Sequence, residues 1–273
     1  MTALDTITLD DVEVPALGLG TWRLLGDTCR RVVAEALEMG YRHLDTAQTY
    51  RNEREVGAGL RDAGVDPAEV LVTTKLPLDR FDDVTAAVDE SLRRLGVEVI
   101  GLVLLHWPAD DDRNARALEQ LFALRDAGKV AHVGVSNFPA AQLRRACELG
   151  PVACDQVEYH PFLGQDVLLA AARELGVAVV AYAPIARGRV ARDPVIREIA
   201  ERHGRSPTQV ALRWLLDQEQ VGAVPKASSR EHLRSNLDLA FALSDDERAA
   251  IDALARGQRL ISPRGAPTWD PVR

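Results

Sequence analysis

From Leu17 onward the chain alternates short apolar runs of about five residues with longer amphipathic stretches, and the alternation recurs eight times. The apolar runs fall at 17–20, 43–44, 71–74, 101–105, 132–135, 153–157, 177–181 and 222–224. A helix-length segment after each run supplies the crossover that parallel strands require, so the pattern reads as βα units in a parallel sheet. Eight such units occupy the whole of a 273-residue chain. The first strand lacks the Gly-x-Gly-x-x-Gly of a doubly wound nucleotide fold, and Gly18-Leu19-Gly20 alone is too short a signal. The expected architecture is therefore of the α/β class: one (β/α)8 TIM-barrel domain over 1–273. Ahead of it, alternating residues at 6–9 and 12–14 flank Asp10-Asp11 and predict a small β-hairpin. Two helical stretches, 193–203 and 244–255, fall outside the alternation and predict extra helices. Asn52 followed by Glu55 has the form of a capping box for the second helix, and Ser206-Pro207 that of an N-cap and N1 pair for the seventh.

Composition narrows the class of partner. With 47% hydrophobic and 27% charged residues, the chain has the balance of a soluble globular protein with a sizeable core. Its net charge of −8 is spread along the sequence without a basic block, which argues against nucleic acid and anionic membranes and for a small-molecule partner. Residues 1–11 lack the basic start and apolar core of a signal peptide, and no apolar run reaches membrane-spanning length. Cys29, Cys147 and Cys154 are odd in number and without metal-ligand spacing. They predict buried free thiols, a reducing cytoplasmic compartment and no metal; a monomer is expected.

The chemistry-bearing residues share a position. Asp45, Lys75, His106, Ser136, Asn137, Gln156, Tyr182 and Lys226 interrupt the apolar pattern at strand carboxyl ends, where TIM barrels place their sites. Tyr50 follows Asp45 by five residues and would face the same cleft. A phenol with a pKa near 10 is a poor acid unless positive charge stabilises its phenolate. Among 33 Lys and Arg residues only Lys75, Lys129 and Lys226 are lysines, which singles out Lys75, since lysine tunes its pKa readily and arginine does not. Taken singly each has a bland reading, as helix cap, structural histidine or structural ion pair. Together they point to a site.

These residues lie in motifs that resemble one family, the aldo-keto reductases: LGLGTW at 17–22, HLDTAQTYRNE at 43–53, TTK at 73–75, LLHWP at 104–108, GVSNF at 134–138 and QVEYHP at 156–161. The resemblance runs from 17 to 270, and the tail at 259–270 with the DTAQTY form is most similar to the bacterial 2,5-diketo-D-gluconate reductase B branch, which also reduces methylglyoxal. It implies NADPH-dependent reduction of small aldehydes and ketones. Tyr50 would be the general acid, Lys75 held by Asp45 would lower its pKa, and His106 would donate to the carbonyl oxygen. Trp22 and Trp107 would wall the substrate side with Tyr50 and His106. Ser136, Asn137 and Gln156 would hydrogen-bond the nicotinamide carboxamide, Tyr182 would stack on the ring, and Gly20, Thr21, Asp45 and Pro184 would be further cofactor contacts. The segment 225–236, with Lys226, Ala227, Ser228, His232 and Asn236, would grip the adenosine end.

Two positions depart from the family pattern. Ala227 replaces a usual Ser or Thr, and His232 stands where NADPH-using members often carry Arg. Neutral imidazole cannot reproduce a bidentate guanidinium on the 2′-phosphate, so weaker discrimination against NADH is expected, with Lys226 still favouring NADPH. A short segment at 109–114 and a brief tail after Ala255 predict an open, lightly walled cleft suited to small or polar carbonyls, methylglyoxal or keto-sugar type. Arg259 and Arg264 in that tail are read as surface solvation rather than substrate contacts. One alternative is a nucleotide-binding structural or regulatory protein on the same fold, like the channel-associated β subunits and lens crystallins that resemble these reductases. Another is an aldolase in which Lys75 forms a Schiff base.

Overall fold

The computed structural model describes residues 5–272. The first residues of the N-terminal stretch at 1–11, and both ends of the expected 1–273 domain, lie outside the described residues. β1 (Thr6–Leu9) and β2 (Val12–Pro15) pair antiparallel through a turn in which Asp10 and Asp11 both take positive φ, 45° and 67°. Two left-handed residues in succession match the twist of the flanking strands, and aspartate tolerates that backbone better than most side chains. The hairpin closes the end of the barrel where the strands begin. Thr8 N donates to Gln220 Oε1 at 2.8 Å, and Asp10 Oδ2 lies 2.9 Å from His132 Nδ1.

Eight parallel strands follow: β3 (Leu19–Gly20), β4 (His43–Asp45), β5 (Leu71–Leu76), β6 (Ile100–Leu105), β7 (Val130–Ser136), β8 (Cys154–Glu158), β9 (Ala178–Tyr182) and β10 (Val221–Ala223). Each pairs with its neighbour in chain order. Parallel bridges Leu17↔Ala223 and Gly20↔Lys226 join the last strand to the first, with Gly18 N donating to Ala223 O at 2.9 Å and Gly20 N to Pro225 O at 3.0 Å. The seam needs a glycine, because a Cβ on Gly20 would sit 2.6 Å from Val224 O. Every residue of β4, β5 and β8 is buried, as expected of strands covered on both faces.

The covering helices are α1 (Gly26–Glu38), α2 (Glu53–Ala63), α3 (Val84–Leu95), α4 (Asp111–Asp126), α5 (Ala140–Leu149), α6 (Asp166–Leu175), α7 (Pro194–His203), α8 (Pro207–Leu216), α9 (Arg230–Leu237) and α10 (Asp245–Asp252). α7 and α10 are the two additions to the alternation. Ser206 forms a full capping box with Gln209 at the start of α8. Asn52 does not cap α2, contrary to the spacing. Its side chain is buried and engaged elsewhere: Nδ2 donates to Thr21 O and Leu24 O, both at 2.9 Å, and Oδ1 accepts from Thr46 Oγ1 at 2.6 Å. It ties the loop after β3 to the end of β4, and three hydrogen bonds from a buried amide outweigh one cap. The expectation of buried thiols holds for Cys29 and Cys154 but not for Cys147, which is partly exposed on α5. Among the described residues no helix is long and apolar enough to cross a membrane.

Candidate active site

A cavity of about 620 Å³ opens at the carboxyl ends of the strands, within the size range of small-molecule sites. Gly20, Trp22, Asp45, Tyr50, His106, Trp107, Ser136, Asn137, Gln156, Tyr182, Pro184 and Lys226 line it. Arg23, Thr49, Ala183, Ile185, Arg187, Val224, Ile261 and Pro263 complete the wall. Thr21, Lys75, Ala227, Ser228, His232 and Asn236 do not reach it.

Lys75 lies beneath the floor, 1% exposed. Its Nζ donates to Asp45 Oδ1 at 2.7 Å, to Oδ2 at 2.8 Å and to Thr46 O at 2.8 Å, which engages all three ammonium protons. Burial pushes the Lys75 pKa down, and the Asp45 carboxylate opposes that shift. Asp45 Oδ2 also accepts from Gln156 Nε2 at 2.7 Å. Tyr50 therefore receives no hydrogen bond from Lys75; the ammonium sits 5.0 Å from the centre of the phenol ring. The expected lowering of the Tyr50 pKa is reversed here. Burial raises it well above the ordinary value, and the nearby Asp45 charge raises it further.

His106 stands edge-on to Tyr50 with ring centres 6.0 Å apart. Burial and the Lys75 charge push its pKa down to about 3, so the ring is neutral at ordinary pH. Thr49 Oγ1 lies 3.5 Å from His106 Nδ1, the long limit for a hydrogen bond. On the opposite wall, Ser136 Oγ donates to Gln156 O at 2.7 Å, and Asn137 Nδ2 donates to His106 O and to Ser136 Oγ, both at 3.0 Å. Tyr182 OH donates to Asn137 Oδ1 at 2.7 Å. Asn137 takes a φ of 66°, which an asparagine accepts and which turns its amide toward the barrel mouth loops.

The tail closes one side, against the expectation of a lightly walled cleft. Glu158, fully buried at the end of β8, accepts from Leu260 N at 2.7 Å, Ile261 N at 2.9 Å and His160 Nε2 at 3.0 Å. Asp270 Oδ2 accepts from Ala140 N at 2.8 Å, and Trp269 packs edge-on to Trp107 at 6.1 Å. Arg259 is not surface-solvated: its guanidinium lies 3.7 Å from the centre of the Trp269 ring, with Nη1 buried and without a hydrogen-bond partner. Arg264 is exposed, as expected.

A sequence profile of the Aldo/keto reductase family matches residues 16–256. The chain belongs to the aldo-keto reductase family. It is 35% identical to methylglyoxal reductase DkgB of Escherichia coli O157:H7 over 95% of this chain and 100% of that protein. Among solved structures it is similar to one assigned to 2,5-diketo-D-gluconic acid reductase B, with 42% identity, 98% of each chain covered and a TM-score of 0.96. It is also similar to Bombyx mori aldo-keto reductase in complex with NADP, with 31% identity, 98% of each chain covered and a TM-score of 0.89.

In this aldo-keto reductase the segment 225–236 leaves the cavity after Lys226. Ser228 and His232 are exposed, whereas Ala227 and Asn236 are buried, Asn236 against Tyr41. Thr21 is fully buried, its hydroxyl donating to Asp45 O at 2.8 Å. Several wall residues were readable from position. Thr49 lies inside the 43–53 motif, Arg23 follows Trp22, and Ile261 and Pro263 belong to the tail motif. Ala183, Ile185 and Arg187 follow β9 in a loop that no periodicity marks, and Val224 reads only as a strand residue.

Proposed function

We propose that this oxidoreductase reduces small aldehydes and ketones, of the methylglyoxal or keto-sugar type, with NADPH as reductant and Tyr50 as general acid. The observation that carries this reading is the clustering of Tyr50 and a neutral His106 at one end of the cavity, above the buried Asp45–Lys75 pair. The residues opposite fit a nicotinamide. Ser136, Asn137 and Gln156 put hydroxyl and amide groups along one wall, the Tyr182 ring offers a flat face, and among the described residues nothing donates to Gln156 Oε1. Gln156 Nε2 is anchored on Asp45, so its Oε1 is oriented to accept from a carboxamide. Bound there, the reduced nicotinamide would supply hydride to the carbonyl carbon.

Tyr50 then protonates the carbonyl oxygen. Burial keeps its proton in place until negative charge develops on that oxygen, which is a far stronger base than phenolate. Lys75 acts through the field of its buried charge rather than through a hydrogen bond, and Asp45 keeps that charge in a site where a lone ammonium would lose its proton. Neutral His106 has one N–H to donate. We assign that donor to Nε2, with the Thr49 hydroxyl donating to Nδ1, which leaves the ring able to orient a carbonyl oxygen without carrying a charge. Lys226 at the rim supports NADPH over NADH by offering a cation to a phosphate.

The test is NADPH consumption with methylglyoxal and a panel of aldehydes, in the wild type and in Tyr50→Phe. The variant should bind NADPH nearly as well while kcat falls by at least about a hundredfold, the lower end of a general-acid contribution. Near-normal kcat would remove Tyr50 from the mechanism. Tight dinucleotide binding with no turnover by the wild type would make the chain a nucleotide-binding protein instead.

A further inference from the structure

Asp155, the second residue of β8, is fully buried, yet its carboxyl is almost unpartnered. Its neighbour Gln156 lines the cavity, and successive strand residues face opposite ways, so Asp155 points outward from the barrel interior toward the start of α5. There Oδ1 accepts from Phe138 N at 3.5 Å, the long limit for a hydrogen bond, and Oδ2 is buried without a partner. The buried carboxylates of Asp45, Glu53 and Glu158, by contrast, accept hydrogen bonds on both oxygens. An ionised carboxylate placed as Asp155 is forfeits far more hydration than one long contact returns, which favours the neutral acid.

The surroundings favour the same form. Among the described residues, the titratable groups that face Asp155 are Asp270 from the tail, Cys147 from α5, Cys154 from its own strand and Tyr182 from the end of β9, and none of them is a cation. Burial pushes the Asp155 pKa well up; the Phe138 N–H opposes that shift and the Asp270 charge adds to it. α5 begins after Pro139 without a side-chain cap of its own, and Asp270 Oδ2 serves instead by accepting from Ala140 N at 2.8 Å. Residues 136–140 therefore run between two carboxyl groups, one beneath and one from the tail. The cavity side of the same few residues carries Ser136 and Asn137. Asn137 holds its left-handed backbone there, with its amide joined to His106 O and to Tyr182 OH. A shift of Phe138 would be passed directly to this wall.

We propose that Asp155, held as a neutral acid, is a positioning residue for the loop that carries Ser136 and Asn137, and that NADPH binds the form of the enzyme in which Asp155 keeps its proton. The proposal rests on the reading of those two residues as nicotinamide contacts and adds the group that holds them in place. Ionisation would set a second negative charge against Asp270 at the start of α5 and draw water or backbone donors toward Oδ2, displacing Phe138 and with it the two wall residues.

The test follows the Asp155 carboxyl by its carbon chemical shift in aspartate-labelled protein, with Asp155→Asn identifying the resonance. Alongside it, NADPH dissociation constants are measured by quenching of tryptophan fluorescence from about pH 6 to 9 in the wild type, Asp155→Asn and Asp155→Leu. The carboxyl should be protonated at neutral pH. Above its titration point the wild-type dissociation constant should rise by up to about tenfold per pH unit, because each cofactor bound then requires one proton to be taken up. Asparagine keeps an acceptor for Phe138 N and cannot titrate. The ratio of wild-type to Asp155→Asn dissociation constants should therefore grow with pH, while groups common to both proteins cancel. Asp155→Leu has no acceptor and should bind NADPH about twofold to tenfold more weakly than Asp155→Asn at every pH. A carboxyl ionised at neutral pH, a ratio independent of pH, or equal dissociation constants for the two variants would each overturn the proposal. If the leucine variant fails to fold, the titration and the asparagine ratio decide. The carboxyl titration needs no cofactor. A protonated Asp155 in a chain that binds no NADPH would sink the nicotinamide reading of Ser136 and Asn137, and the positioning role with it; NADPH binding beside an ionised Asp155 would sink the positioning role alone.

Discussion

Two histidines in this barrel are neutral because they are buried, and burial couples their protonation to folding. His43 is pushed down to about 4 by desolvation, and His106 to about 3. In the unfolded chain both would titrate near 6.5. Between pH 6.5 and 4 the unfolded chain therefore binds more protons, so stability is full above about 6.5 and is lost as pH falls toward the folded values. For His43 the shift corresponds to a loss on the order of 3 kcal/mol. Urea midpoints followed from pH 7.5 to 4 should drop accordingly; a flat profile would mean that acid form and fold are compatible at these sites. Thr49 bears on the other role of His106. Thr49→Val removes the hydroxyl opposite Nδ1 with little change of shape, and a single long hydrogen bond is worth about 0.5–1.5 kcal/mol at most. The expected result is a kcat lowered by roughly threefold to tenfold at similar KM. Nitrogen chemical shifts of the His106 ring should show a mixture of tautomers in the variant, and an unchanged tautomer would separate Thr49 from the histidine.

Helix starts show how one residue type serves two ends. Ser206 is a working cap, with Gln209 answering it, so Ser206→Ala should cost about 1 kcal/mol, measured by chemical denaturation. Asn52 has the spacing of a cap but joins the loop after β3 to the end of β4, holding Thr21 and Leu24 beside the cavity. Asn52→Ala should cost more than the serine change, because two buried carbonyls and the Thr46 hydroxyl lose their partner, each at about 1–3 kcal/mol before relaxation. It should also raise KM, since Trp22 and Arg23 ride on the same loop. Equal stability losses for the two variants would return Asn52 to the role of an ordinary cap. The spacing rule misses this because it counts residues along one helix, while the competing acceptors come from a loop 28 and 31 positions away.

The barrel as a whole joins the last segment of the chain to its site. A buried Glu158 takes two backbone N–H groups of the tail and His160 on one carboxylate, and Ile261 and Pro263 are thereby set into the cavity wall. Glu158→Ala should release that segment. The expected outcome is a KM raised more than kcat is lowered, together with faster tryptic cleavage after Arg259, which is half-buried against Trp269 in the intact protein. Unchanged cleavage would mean that Asp270 and the Trp107–Trp269 contact hold the tail unaided.

The strand–helix alternation, the hairpin at Asp10-Asp11, the two added helices, the strand-end position of Asp45, His106, Ser136, Asn137, Gln156 and Tyr182, and the place of Tyr50 five residues after Asp45 were legible without coordinates. Each depends on periodicity or turn chemistry within a few neighbouring residues, where local sterics and burial of one face decide the outcome. The protonation of Tyr50, the real partners of Asn52, the wall built by Ile261 and Pro263, and the pairing of Arg23 with Arg187 over Trp22 were decided only by the closed barrel. They depend on which groups from distant strands share a low-dielectric space and which hydrogen-bonding groups are already engaged there, and neither quantity is carried by spacing along the chain.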